Sequence, residues 1–84
     1  MSEEETLKKA IEILERHMEN PYDWGITQNV YMYPHLIAIF QGSLLYMEEV
    51  KQEGFSGKRM LKMTPEGRAI STLAHAIVER TIKK

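Results

Sequence analysis

The sequence predicts a small, mainly α-helical domain that is closed by one short β-hairpin. Three observations carry that expectation. Apolar residues recur at helical spacing in three segments, residues 7–18, 34–53 and 65–83. Gly54 stops the middle segment, and Thr64-Pro65 opens the last one. Between those two marks lie only nine residues, with Gly57-Lys58 near their centre, a spacing that suits a tight hairpin.

The first helix begins at Ser2, whose hydroxyl can cap free N–H groups, with Glu5 three residues on completing a capping-box pattern. Glu3, Glu4 and Glu5 suit the positive end of the helix dipole. Leu7, Ala10, Ile11, Leu14, His17 and Met18 form one apolar stripe, with His17 at its edge in a structural role. Asn20-Pro21 ends the helix, because the residue before a proline is pushed out of the helical region.

Residues 21–34, P-Y-D-W-G-I-T-Q-N-V-Y-M-Y-P, are rich in aromatic rings. Trp24-Gly25-Ile26-Thr27 reads as a short extended piece that pairs with the hairpin, and Thr27 as the cap of a brief helix from Gln28. Val30-Tyr31-Met32-Tyr33 favours strand by propensity, which competes with that helix. Bases stack on such rings only beside a groove positive enough to hold the backbone, and this segment has no Lys or Arg. Packing in a core or an interface is the expected role.

From Pro34 the pattern is helical and apolar on more than one side. Ile37, Phe40, Leu44 and Met47 form one stripe, and Leu36, Ile39, Leu45 and Val50 widen it. Gly42-Ser43 sits midway. Either one helix runs to Glu53 through the glycine, the preferred reading, or Gly42 is a turn and Ser43 caps a second helix. Phe55-Ser56 and residues 60–63 are the expected hairpin arms. The last helix, about residues 65–83, carries Ile70, Leu73, Ala74, Ile77 and Ile82 on one face.

Composition bounds the function. At 84 residues the chain (1–84) is one domain with a modest core. It has no cysteine, so neither a disulfide framework nor a thiolate metal site is available. No apolar run is long enough to span a bilayer, and the acidic start M-S-E-E-E has the wrong sign for a leader, so a cytoplasmic protein without membrane contact is expected. The net charge of −1 conceals an uneven distribution. Residues 21–50 hold no Lys or Arg, whereas residues 51–68 hold Lys51, Lys58, Arg59, Lys62 and Arg68 against Glu53 and Glu66.

No catalytic constellation emerges. His17, His35 and His75 lie in three segments without a metal-binding spacing, and there is no glycine-rich phosphate loop. Glu48 and Glu49 are adjacent on a helix and point apart. Neither an enzyme nor a cofactor or metal site is expected.

W-G-I-T (24–27), Y-M-E-E-V-K-Q-E-G-F-S-G (46–57) and L-K-M-T-P-E-G-R (61–68) follow the order and rough spacing of a winged helix-turn-helix domain. The chain resembles that family, in particular its small YjcQ-like members, over about residues 4–75. The resemblance implies a three-helix core, a minimal wing and a C-terminal helix that can pair with its twin in a homodimer. It also implies a transcriptional regulator on double-stranded DNA. Lys51, Lys58, Arg59, Lys62 and Arg68 would then neutralise phosphates, and His35, Gln41 and Ser43 would face the bases. Two features depart from the pattern. The S-G-K-R tip is barely a wing, and Glu48 and Glu49 follow on the would-be recognition helix. The alternative is a domain for protein–protein contact or dimerisation through the aromatic and apolar segment 22–45. The two readings differ in where the basic residues should lie. One face beside the start of the Pro34 helix favours DNA, and scatter favours a protein partner.

Overall fold

A computed structural model describes residues 2–19 and 32–82, and these form four helices: α1 (Glu3–Glu19), α2 (Tyr33–Gln52), α3 (Gly57–Leu61) and α4 (Pro65–Ile82). Among the described residues there is no strand. The expected extended piece at 24–27 and the brief helix from Gln28 lie outside the described residues. α1 packs against both α2 and α4, and α3 packs on the end of α2.

The helix starts follow their capping residues. The Ser2 hydroxyl accepts a hydrogen bond from the Glu5 N–H at 3.1 Å, and the Ser2 carbonyl accepts from the Thr6 N–H and hydroxyl, each at 3.0 Å. Thr64 caps α4 in the same way, its hydroxyl accepting from the Gly67 N–H at 3.0 Å with Pro65 as the first helical residue. α2 ends as expected at Gly54, which has φ 92°. The Phe55 N–H donates to the Val50 carbonyl at 2.9 Å and the Gly54 N–H to the Lys51 carbonyl at 3.0 Å. That pair of bonds is the Schellman closure, which needs a residue free of a Cβ in the left-handed region.

α2 is one unbroken helix, so Gly42 is not a turn. Ser43 is buried, and its hydroxyl donates back to the Ile39 carbonyl at 2.9 Å instead of capping a new helix.

The expected β-hairpin wing is absent, and with it the mixed α and β class. Residues 57–61 are helical. The Ser56 hydroxyl caps this turn by accepting from the Arg59 N–H at 3.3 Å. Gly57, read from the sequence as a hairpin tip, does not have the positive φ that such a tip requires. It is buried against α2, where a Cβ would lie 2.9 Å from the Met47 Cβ. The glycine serves close helix packing, not a reversal. The residues that follow, K-R-M-L-K-M, are good helix formers and poor strand formers.

The core lies where the inner faces of the three long helices meet. Leu7, Ala10, Ile13 and Leu14 of α1 contact Phe40 and Met47 of α2 and Ala74, Ile77 and Val78 of α4. Each fully buried Leu or Phe contributes roughly 1.5–3 kcal/mol by leaving water. The α1 stripe is buried as expected as far as His17, while Met18 is exposed. The apolar positions of α4 are largely consumed inside the chain: Ala74 and Ile77 are buried, Ile70 is half-buried, and Leu73 is exposed. No helix among the described residues is long and apolar enough to cross a membrane.

Candidate functional site

Among the described residues, a serine, a histidine and a carboxylate converge at the start of α1. Glu3 is buried between α1 and α4. The Ser71 hydroxyl donates to one of its carboxylate oxygens, and His75 Nε2 lies 3.3 Å from the other. Burial pushes the Glu3 carboxyl up, but Ser71, His75 and the Lys62 ammonium outweigh it and hold the group below the usual carboxylate range. In the sequence Glu3 stands only as a favourable charge at the helix dipole, and His75 lies apart from the other histidines. The i, i+4 spacing of Ser71 and His75 was the one available sign that they share a face.

A serine, a histidine and a carboxylate together invite comparison with a nucleophilic triad, but their order is wrong for it. The carboxylate sits between the other two, so the imidazole is not placed to take the hydroxyl proton. Ser71 is also almost fully buried, at 3 % exposure. The cluster is a latch that joins α1 to α4. No group of His, Asp and Glu suited to a metal ion occurs among the described residues.

The expected DNA-contacting residues divide into separate places. Lys62 and Arg68 line an open cleft of about 480 Å³ together with Thr72, His75 and Glu79. The Arg68 guanidinium there donates to the Lys62 carbonyl at 3.1 Å, closing the end of α3. Lys51 and Lys58 line a second cleft, about 520 Å³, with Ser2, Glu3 and Glu4. The second cleft takes in Glu3 and Glu4 of the acidic first turn of α1 and the first takes in Glu79, so a carboxylate opposes the basic charge in each. Arg59 is exposed on α3. His35 and Gln41 are exposed on the first half of α2, and Ser43 is buried with its hydroxyl engaged. Lys51 follows His35 by 16 positions, about 24 Å along the helix at 1.5 Å per residue. The structure thus joins Lys62 with Arg68 and Lys51 with Lys58 in two separate clefts, neither of which is lined by His35 or Gln41.

A third feature is apolar. Tyr33, Phe40, Met47 and Val50 turn inward from α2, yet large apolar side chains are exposed away from the core as well: Ile39 is 45 %, Leu45 67 % and Tyr46 40 % exposed. His35, Ala38, Gly42, Leu45 and Glu49 share that outer side, at alternating three- and four-residue spacing. It carries no Lys or Arg between residues 33 and 50. On one flank, Ile39, Gly42 and Tyr46 meet Met60, Leu61 and Ile70 across a shallow groove of about 410 Å³. Residues 22–31 of the segment expected to form an apolar contact surface lie outside the described residues. No family model, curated protein or solved structure matches the chain.

Proposed function

We propose that this protein is a helical association module that binds another polypeptide through the outer side of α2. The observation that carries the reading is the second apolar side of that helix. A helix that faced only its own core would be polar on the outside. Here Ile39 and Tyr46 lie open to water along a groove that Leu61 and Ile70 also line, and Leu45 is exposed on the same helix. Large apolar side chains exposed beside such a groove are the kind of surface that marks a contact site. The division of the basic residues between two clefts, neither lined by His35 or Gln41, supports the same choice over DNA, because phosphate and base contacts would not come from one face.

The test is site-specific photo-cross-linking in cells expressing the chain, with benzoylphenylalanine in place of Tyr46 or, separately, of Arg59. The reading predicts polypeptide adducts from position 46 that disappear when Leu45→Glu is added. Nucleic-acid adducts from position 59, with none from position 46, would overturn it.

A further inference from the structure

We propose that the polypeptide seated on this face is a second copy of the chain, with the two α2 helices antiparallel and Gly42 of each at the twofold axis. The inference rests on the association reading and names its partner. In that arrangement residue i of one copy lies opposite residue 84 − i of the other. Ile39 meets Leu45 of the partner subunit, apolar against apolar. Ala38 meets Tyr46 of the partner subunit, so the smallest side chain of the pair receives the largest. His35 meets Glu49 of the partner subunit, an imidazole donor against a carboxylate. Every one of these residues is exposed on the outer side of α2.

The opposite orientation lacks this complementarity. A parallel pair in register sets Glu49 against Glu49 and Ala38 against Ala38, which leaves one repulsive contact and one void. The twofold axis also accounts for Gly42. Among the described residues nothing lies within 4 Å of the position its Cβ would occupy, so no contact among them requires a glycine there. A glycine in mid-helix costs about 1 kcal/mol relative to alanine. At the axis it lets the two backbones approach closely, and Leu45 of the partner subunit can settle between Ile39 and the groove wall.

The contact is short. From His35 to Glu49 is about 21 Å of helix, which gives less area than the roughly 800 Å² per partner of a standard interface. The dimer is therefore expected to be weak and concentration-dependent.

The chain contains no cysteine, so single cysteines report the register without background. Under mild oxidation Gly42→Cys is expected to form a disulfide-linked dimer. An equimolar mixture of His35→Cys and Glu49→Cys should give the mixed disulfide well above the half share expected from random pairing. Leu45→Glu, a change at an exposed position, should weaken association of the unmodified chain at least tenfold in sedimentation velocity while leaving its helical circular dichroism intact. Random or like-with-like pairing of the two cysteine variants would overturn the antiparallel register. An unmodified chain that sediments as a monomer at millimolar concentration would overturn the dimer. If Tyr46 nevertheless gave polypeptide adducts in cells, the association reading would stand with a different partner.

Discussion

The close approach of the end of α3 to the first turn of α4 makes a sharp prediction at Gly67. A Cβ built there would overlap the Leu61 carbonyl oxygen, lie 2.7 Å from the Leu61 carbonyl carbon and 3.1 Å from the Thr64 hydroxyl oxygen. The obstacle is backbone, so no side-chain rotation relieves it. In an open helix, Gly→Ala stabilises by about 1 kcal/mol. In Gly67→Ala the first turn of α4 must move off α3. That shift strains packing by roughly 1–3 kcal/mol and weakens a helix cap that is itself worth about 1 kcal/mol. It also disturbs the Arg68 bond to the Lys62 carbonyl. The net expectation is a loss of about 2–4 kcal/mol, a large part of the roughly 4–13 kcal/mol that a domain of 84 residues possesses. Urea unfolding followed at 222 nm measures it. Gly42→Ala is the control: with open space around it, it should raise stability by up to about 1 kcal/mol at concentrations below self-association. A Gly67→Ala chain as stable as the parent would refute the close approach.

Other consequences are smaller. Glu3→Gln removes the charged member of the latch and should cost about 1–3 kcal/mol at neutral pH, read by the same unfolding experiment. Because the folded state holds the Glu3 carboxyl below its ordinary value, its contribution is complete above about pH 5 and is lost as pH falls through the lowered value. The gap between parent and Glu3→Gln should therefore narrow in acid, and a gap that widened would show that the carboxylate is not stabilised. Ser56→Ala deletes the cap of α3 and should cost about 1 kcal/mol, with loss of helical NMR shifts confined to residues 57–61. Random-sequence duplex DNA at low salt should leave fluorescence anisotropy unchanged, and steeply salt-dependent binding abolished by Lys58→Glu/Arg59→Glu would contradict that.

Local signals in the sequence foretold the helix boundaries well. Ser2, Gly54 and Thr64-Pro65 do what their chemistry suggests, since a cap or a left-handed glycine acts over four residues and is written in them. The unbroken course of α2 also followed from its spacing. The hairpin reading failed because Ser56-Gly57-Lys58 fits two local structures, a turn tip and a helix start. The choice between them was made by tertiary packing, the contact of Gly57 with Met47. Helical preference in residues 58–63 was the legible clue. The Glu3–Ser71–His75 latch joins positions 68 and 72 residues apart, a distance that periodicity does not report. Sequence spacing did reveal that α2 is apolar on more than one side. Which residues face outward, Ile39 and Leu45 and not Leu36 and Ile37, depended on how α1 and α4 pack against it.

The most direct test of the account is a map of what touches the protein, read residue by residue. Isotope-labelled chain would be added to an extract of the cells that express it, and the loss of amide signal recorded before and after nuclease treatment. Association through α2 predicts losses clustered at His35, Ala38, Ile39, Gly42, Leu45, Tyr46 and Glu49 that survive the nuclease. Losses centred on Lys51, Lys58, Arg59, Lys62 and Arg68 that vanish with the nucleic acid would contradict it.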